Sequence, residues 1–294
     1  MHGEIFPIRI TTFNLRYGSA PDGAQRWARR KALVVERLRA LDPDLLSLQE
    51  CRDDAQARFL KRQLPEYEWL SVRRSLSDSP DLEMTPLLYR RASFQLLETG
   101  FFWLSETPSI IGSRSWGADF PRTVTWARLL TLASPPWELV FLSVHIDYAT
   151  PEAQERSAAL LRAFIDRLHP QQPVVLAGDF NAPKDSLPFH ILTAPNAASP
   201  GLSDVFQRLH PPGEAAGAPD PPPARPPDGS FHAYGMLTDP PAIDWILISP
   251  QFNVLEARVE TFQQDGIYPS DHYPVYARVC IASSEIRGLT FSFR

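Results

Sequence analysis

Short apolar runs rich in β-branched and aromatic residues recur along the chain and predict strands over 8–13, 45–48, 68–72, 85–89, 94–102, 125–132, 139–145, 174–177, 243–248 and 275–281. Two longer stretches switch to helical spacing. In 27–40 the residues Leu33, Val34 and Leu38 share a face, and in 152–168 Ala159, Leu160, Ala163, Phe164 and Leu168 do the same. Pro151 suits the first turn of the second helix, with Thr150 as its cap. Further helices are predicted over 54–63 and 187–192. β-Structure dominates the expected core.

One segment breaks the pattern. Residues 211–228 read Pro-Pro-Gly-Glu-Ala-Ala-Gly-Ala-Pro-Asp-Pro-Pro-Pro-Ala-Arg-Pro-Pro-Asp and lack the apolar content to fold alone, which predicts an extended surface insertion. Strands resume after it, so it is expected to interrupt one domain spanning 1–294 rather than divide two.

Composition narrows the function classes. With 294 residues and 44% hydrophobic content the chain can bury a large core. A net charge of −5 argues against a sequence-independent grip on long duplex DNA. The basic clusters Arg26, Arg29, Arg30, Lys31 and the pairs Arg73-Arg74 and Arg90-Arg91 are expected to be solvated charge. Cys51 and Cys280 sit in no CxxC or Cys/His spacing, which argues against thiolate zinc and predicts two reduced core thiols. The chain shows no secretory leader pattern and no apolar run able to span a bilayer, so a cytoplasmic protein with no membrane association and no stable protein partner is expected.

The chemistry gathers at strand ends. Asn14, Gln49-Glu50, His145 with Asp147, Asp179 with Asn181, Asp244, and Asp271-His272 each terminate or interrupt an apolar run, as a cleft at one rim of a pair of sheets requires. Gly178 is expected to bend the backbone so that Asp179 and Asn181 leave the core. Adjacent carboxylates in a cleft need cations, and hard oxygen donors favour magnesium, manganese or calcium.

These motifs, Phe13-Asn14, Leu48-Gln49-Glu50, Ser143-Val144-His145, Gly178-Asp179-Phe180-Asn181, Ile243-Asp244-Trp245 and Ser270-Asp271-His272, arrive in an order that resembles the endonuclease/exonuclease/phosphatase superfamily. The likeness runs from about residue 8 to 281. It implies an α/β (α+β) fold, a four-layer α/β/β/α sandwich of two mixed sheets flanked by helices, and hydrolysis of phosphoesters with Mg2+ or Mn2+. Carried over motif by motif, Glu50 would ligate the ion, with Asp271 and Asn14 completing or supporting its shell. Asp179 would orient or deprotonate the attacking water, Asn181 would hold a phosphate oxygen, and His272, oriented by Asp244, would stabilise developing charge. His145 resembles the second histidine of deoxyribonuclease-like members, and Glu83 is the candidate for the glutamate that neighbours it there.

The stretches Gly100 to Pro108, Ser115-Trp116 and Pro121 to Trp126 resemble a little-characterised bacterial and fungal branch of the superfamily. Arg122 in that region is expected to clamp a substrate phosphate, and His232 is a weaker candidate for substrate contact. Ala242 stands where many relatives carry an arginine, which tells against duplex-DNA repair. The leading expectation is a nuclease-like phosphodiesterase acting on nucleic acid or a small phosphodiester. The alternatives are a sugar- or nucleotide-phosphate phosphomonoesterase and, from another class, a binding module that has lost turnover.

Overall fold

The computed structural model describes residues 6–281 except 77, 169–171, 198 and 211–227. The expected insertion therefore lies almost wholly outside the described residues. In chain order the first half contains β1 (Ile8–Asn14), α1 (Trp27–Leu41), β2 (Leu45–Gln49), β3 (Cys51–Arg52), α2 (Ala55–Gln63), β4 (Tyr67–Leu70), β5 (Glu83–Met84), β6 (Leu87–Arg90), β7 (Phe94–Trp103) and β8 (Thr123–Thr131). The second half contains β9 (Glu138–His145), α3 (Pro151–Ile165), β10 (Val174–Asp179), α4 (Leu187–Thr193), β11 (Ser203–Asp204), α5 (Val205–Leu209), β12 (Asp244–Ile248), β13 (Phe252–Val259) and β14 (Val275–Ile281).

Two six-stranded mixed sheets form, ordered β13-β14-β1-β2-β6-β4 and β11-β12-β10-β9-β8-β7. Their inner faces pack Ile8, Ile10 and Leu45 of one sheet against Phe141, Val175 and Ile246 of the other. A polar tie crosses this core, Ser47 Oγ lying 2.6 Å from Ser143 Oγ. Val34, Val35 and Leu38 of α1 and Ala57 and Leu60 of α2 cover the outer face of the first sheet beside Phe13, Leu46 and Leu48. Ala158 and Leu161 of α3 and Phe189 and Leu192 of α4 cover the second beside Leu142, Val144 and Leu176. The result is the expected four-layer sandwich, in which the central strands are buried on both faces and read as continuous apolar runs.

The helices start where their caps require. Thr150 Oγ1 accepts from the Ala153 N–H at 3.2 Å with Pro151 in the first turn of α3, and Asp54 Oδ1 accepts from the Gln56 N–H at 2.8 Å ahead of α2. α3 stops at Ile165, short of the expected 168. β13 and α5 were not expected. β13 is an edge strand that mixes Glu256 and Arg258 with apolar residues, so no clean alternation marks it. Cys51 and Cys280 are buried and unpaired. The basic clusters depart from expectation, because Arg30 is fully buried and Arg74 is 6% exposed. Among the described residues no helix is long and apolar enough to cross a membrane.

Strand direction sets where the polar ends meet. β1 runs parallel to β2 with Asn14 opposite Gln49, and β9 runs parallel to β10 with His145 opposite Asp179. β12 and β14 run antiparallel to β10 and β1, so their amino ends reach the same rim: Asp244 pairs with Asp179, and Val275, just after Asp271-His272, pairs with Thr12. A 2.9 Å hydrogen bond from Asn14 Nδ2 to Asp179 Oδ2 closes the rim across the two sheets.

Candidate active site

Asp179 occupies the centre of this rim. It is 1% exposed; Oδ2 accepts from Asn14, and Oδ1 accepts from the Asn181 N–H at 2.9 Å. His145 Nε2 lies 3.6 Å and His272 Nε2 3.9 Å from Oδ2. Burial and the neighbouring Asp244 push the Asp179 carboxyl up from the usual range, against the opposing pull of His272 and Asn14. Asn181 reaches its place with a left-handed φ of 49°, and its Nδ2 donates to the Ile146 carbonyl at 3.0 Å. Gly178 acts differently from the expected bend. It lies inside β10, where a Cβ would sit 2.1 Å from the Val144 carbonyl oxygen, so glycine permits close strand contact.

His272 is fixed from behind, its Nδ1 donating to Asp244 Oδ2 at 2.7 Å. Burial opposes its charge, but Asp244, then Asp179 and Asp271, more than offset this and push the imidazole up to about 10. His145 shows the opposite result in the same cleft. Burial, then Arg122 and Arg74, hold it well below the ordinary histidine value, so its ring is neutral.

Glu50 and Asp271 face the cleft from the first sheet. Glu50 turns off the end of β2 with φ 53°; its Oε1 accepts from Asn14 Nδ2 at 3.1 Å and its Oε2 from the Tyr17 N–H at 3.0 Å. Asn14 thus spaces Glu50 from Asp179 with one amide. Asp271 Oδ1 accepts from Ser270 Oγ at 3.1 Å, and Arg16 Nε lies 3.7 Å from its other oxygen.

The cleft encloses about 700 Å3, and Glu50, Glu83, Arg122, His145, Asp179, Asn181, Asp271 and His272 all line it. Asn14 and Asp244 are each 1% exposed and stand one layer behind. Two residues make contacts that the sequence did not mark. Glu83 meets Arg74 Nη1 at 2.9 Å, and no hydrogen bond or ion pair joins it to His145 among the described residues. Burial pushes the Glu83 carboxyl up to about 7, Arg74 opposing. His232, at 1% exposure, does not line the cleft; its Nδ1 accepts from the Gly235 N–H at 3.0 Å and its ring stacks on Tyr273 at 3.7 Å, so it braces the loop, and its Nε2 is buried without a hydrogen-bond partner among the described residues.

Sequence reasoning missed Arg16, Arg52 and Arg74 as cleft residues and Arg30 as a support. Arg30 donates to the Leu15, Arg16, Gln25 and Pro269 carbonyls, tying the segment after Asn14 to the one before Asp271. Arg16, two residues beyond Asn14, carried a usable signal by position; Arg30 and Arg74 sat in charge clusters that look solvated.

The described residues include one group whose ligand atoms lie within 4.8 Å of one another and could hold a metal, Asp179, Asp244 and His272. Glu50 and Asp271 also line the cleft and carry carboxylate oxygens.

Comparison with known proteins agrees with the fold. A model of the Endonuclease/Exonuclease/phosphatase family matches residues 11–272. An endonuclease/exonuclease/phosphatase from Bacteroides vulgatus superposes with a TM-score of 0.82 at 26% identity, covering 94% of this chain and 100% of that one. A mannosyl-6-phosphatase from Bacteroides thetaiotaomicron superposes with a TM-score of 0.78 at 26% identity, covering 93% and 100%. Among curated proteins, the uncharacterized protein L388 of Acanthamoeba polyphaga mimivirus is 27% identical over 175 residues, 57% of this chain and 63% of that protein. The chain thus spans less than two thirds of that relative's length. Enzymes of the matching family are divalent-metal-dependent phosphoester hydrolases, and with its model covering residues 11–272 this chain belongs to the endonuclease/exonuclease/phosphatase family.

Proposed function

We propose that this chain hydrolyses phosphoesters with Mg2+ or Mn2+ held by Glu50 and Asp271 and supported by Asn14. The observation that carries the reading is the environment of Asp179, a buried carboxylate held on both oxygens between two imidazoles. The carboxylates of Glu50 and Asp271 suit a hard cation. The Asp179, Asp244 and His272 group is the poorer ligand set, because Nδ1 of His272 already donates to Asp244. A bound ion supplies Lewis-acid polarisation of a phosphoryl oxygen and a lower pKa for water or the leaving group.

The chain's own residues do the rest. Asp179 orients the attacking water and accepts its proton; Asn14 and the Asn181 N–H hold that carboxylate still. His272 directs an Nε2–H into the cleft and stabilises charge on phosphorus oxygens, with Asp244 holding the ring. Neutral His145 offers a further uncharged donor or acceptor, and Asn181 borders the same space.

The motifs favour a phosphodiester, in nucleic acid or a small molecule. A phosphomonoester is the second reading, favoured by the likeness to a mannosyl-6-phosphatase. A panel of phosphomonoesters, linear and cyclic diesters, single-stranded RNA and abasic duplex, run with magnesium, manganese or chelator, tests both. Metal-dependent turnover lost on chelation is the expected result; no turnover of any member with either metal would leave the binding-module alternative.

A further inference from the structure

We infer that Arg122 supplies a dedicated place for the third free oxygen of a terminal phosphate, which selects the phosphomonoester, the second of the two readings above. The inference rests on the hydrolase reading above. Four arginines, Arg16, Arg52, Arg74 and Arg122, line the cleft. Three are already engaged: Arg16 Nη2 with Asp22 at 3.1 Å, Arg52 Nε with Asp54 at 2.9 Å, and Arg74 with Asp81 at 2.7 Å and Glu83 at 2.9 Å.

Arg122 is not. It is 4% exposed, and its Nε is buried with no hydrogen-bond partner among the described residues. The carboxylate beside it, Asp147 Oδ1, stands 3.6 Å away, beyond hydrogen-bond range, and already accepts from the Asp119 N–H at 3.3 Å while Oδ2 accepts from the Ala149 N–H at 2.7 Å. A buried Nε–H left without a partner is costly. An anion entering the cleft removes that cost.

Counting oxygens identifies the anion. A phosphomonoester presents three unsubstituted oxygens and a charge of about −1.5 to −2 near neutral pH, whereas a diester presents two oxygens and one charge. Glu50, Asp271 and His272 offer partners for two oxygens, and Arg122 lines the same cleft with an unspent donor for a third. Hydrolysis places the water oxygen on phosphorus, breaks the ester P–O bond and passes the proton to the departing alkoxide, releasing inorganic phosphate and an alcohol.

The test compares the parent with Arg122→Gln and Arg122→Lys on para-nitrophenyl phosphate and bis(para-nitrophenyl) phosphate, and measures inorganic phosphate binding by calorimetry. Arg122→Gln is expected to lower monoester kcat/KM by about a hundredfold, diester kcat/KM by a clearly smaller factor, and to abolish phosphate binding. Arg122→Lys keeps the charge without the fork and should fall between, which also decides the matter if the glutamine variant does not fold. Equal losses on both substrates, or unchanged phosphate binding, would overturn the inference. If the parent hydrolyses neither substrate, the hydrolase reading fails, while the phosphate titration still decides whether Arg122 forms an anion site.

Discussion

Asp244 holds His272 by a 2.7 Å hydrogen bond to Nδ1, and this contact leaves Nε2 as the imidazole atom directed toward Asp179, 3.9 Å away. The pairing links β12 to the segment before β14, two elements from different sheets. Replacing the carboxylate by an amide removes both the charge and the fixed tautomer. Asp244→Asn is therefore expected to lower kcat by at least about a hundredfold with far-ultraviolet dichroism unchanged. A variant with near-parental kcat would show that His272 needs no such orientation.

Arg30 joins four backbone carbonyls without meeting a carboxylate by hydrogen bond or ion pair among the described residues. Arg30→Met strands those acceptors inside the protein, and urea unfolding should show a loss of about 3 kcal/mol or more. Because Pro269 leads into Asp271-His272, kcat should fall at temperatures where the variant remains folded. A stability change below about 1 kcal/mol would mean that water replaces the guanidinium.

Gly178→Ala places a methyl 2.1 Å from the Val144 carbonyl oxygen near the carboxyl end of the β9 and β10 pair. The neighbour is backbone and has little room to yield. A destabilisation of about 2 kcal/mol or more is expected in chemical denaturation, and an unchanged unfolding midpoint would contradict the close strand contact.

His232 stays neutral in the folded protein down to about 4, because burial, then His272, lower it from 6.5. Between those values the unfolded chain binds a proton that the folded chain refuses, so this residue makes stability fall as pH falls from 6.5 toward 4, with no further contribution below. Its share of the slope is at most about 1.4 kcal/mol per pH unit. His232→Phe keeps the ring on Tyr273 and should flatten the stability profile in that window; a parallel profile would show that His232 titrates normally.

Much of this site was legible because it is built from strand ends. Parallel pairing of β1 with β2 and of β9 with β10 turns motifs distant in sequence into one rim, so Asn14, Glu50, His145 and Asp179 converge once the strands are assigned. What stayed hidden depends on tertiary neighbours. Arg30 and Arg74 look like surface charge, since helix periodicity and a basic pair carry no mark of the carbonyls or carboxylates that will surround them. Glu83 was matched to His145 by analogy, but Arg74, nearby in sequence, reaches it first. His232 stands near the motifs in the chain, yet its ring is taken up by Tyr273 and the Gly235 N–H. β13 escaped notice because an edge strand needs apolar residues on only part of its surface.

The central claim is that Asp179 serves the attacking water at a divalent-metal site. Asp179→Asn preserves shape and removes the charge, so the most direct measurement is metal-dependent hydrolysis of para-nitrophenyl phosphate and bis(para-nitrophenyl) phosphate by parent and variant at matched, folded concentrations. The account predicts turnover in the parent that chelator abolishes and a loss of about a thousandfold or more in the variant. Full activity in Asp179→Asn would contradict it.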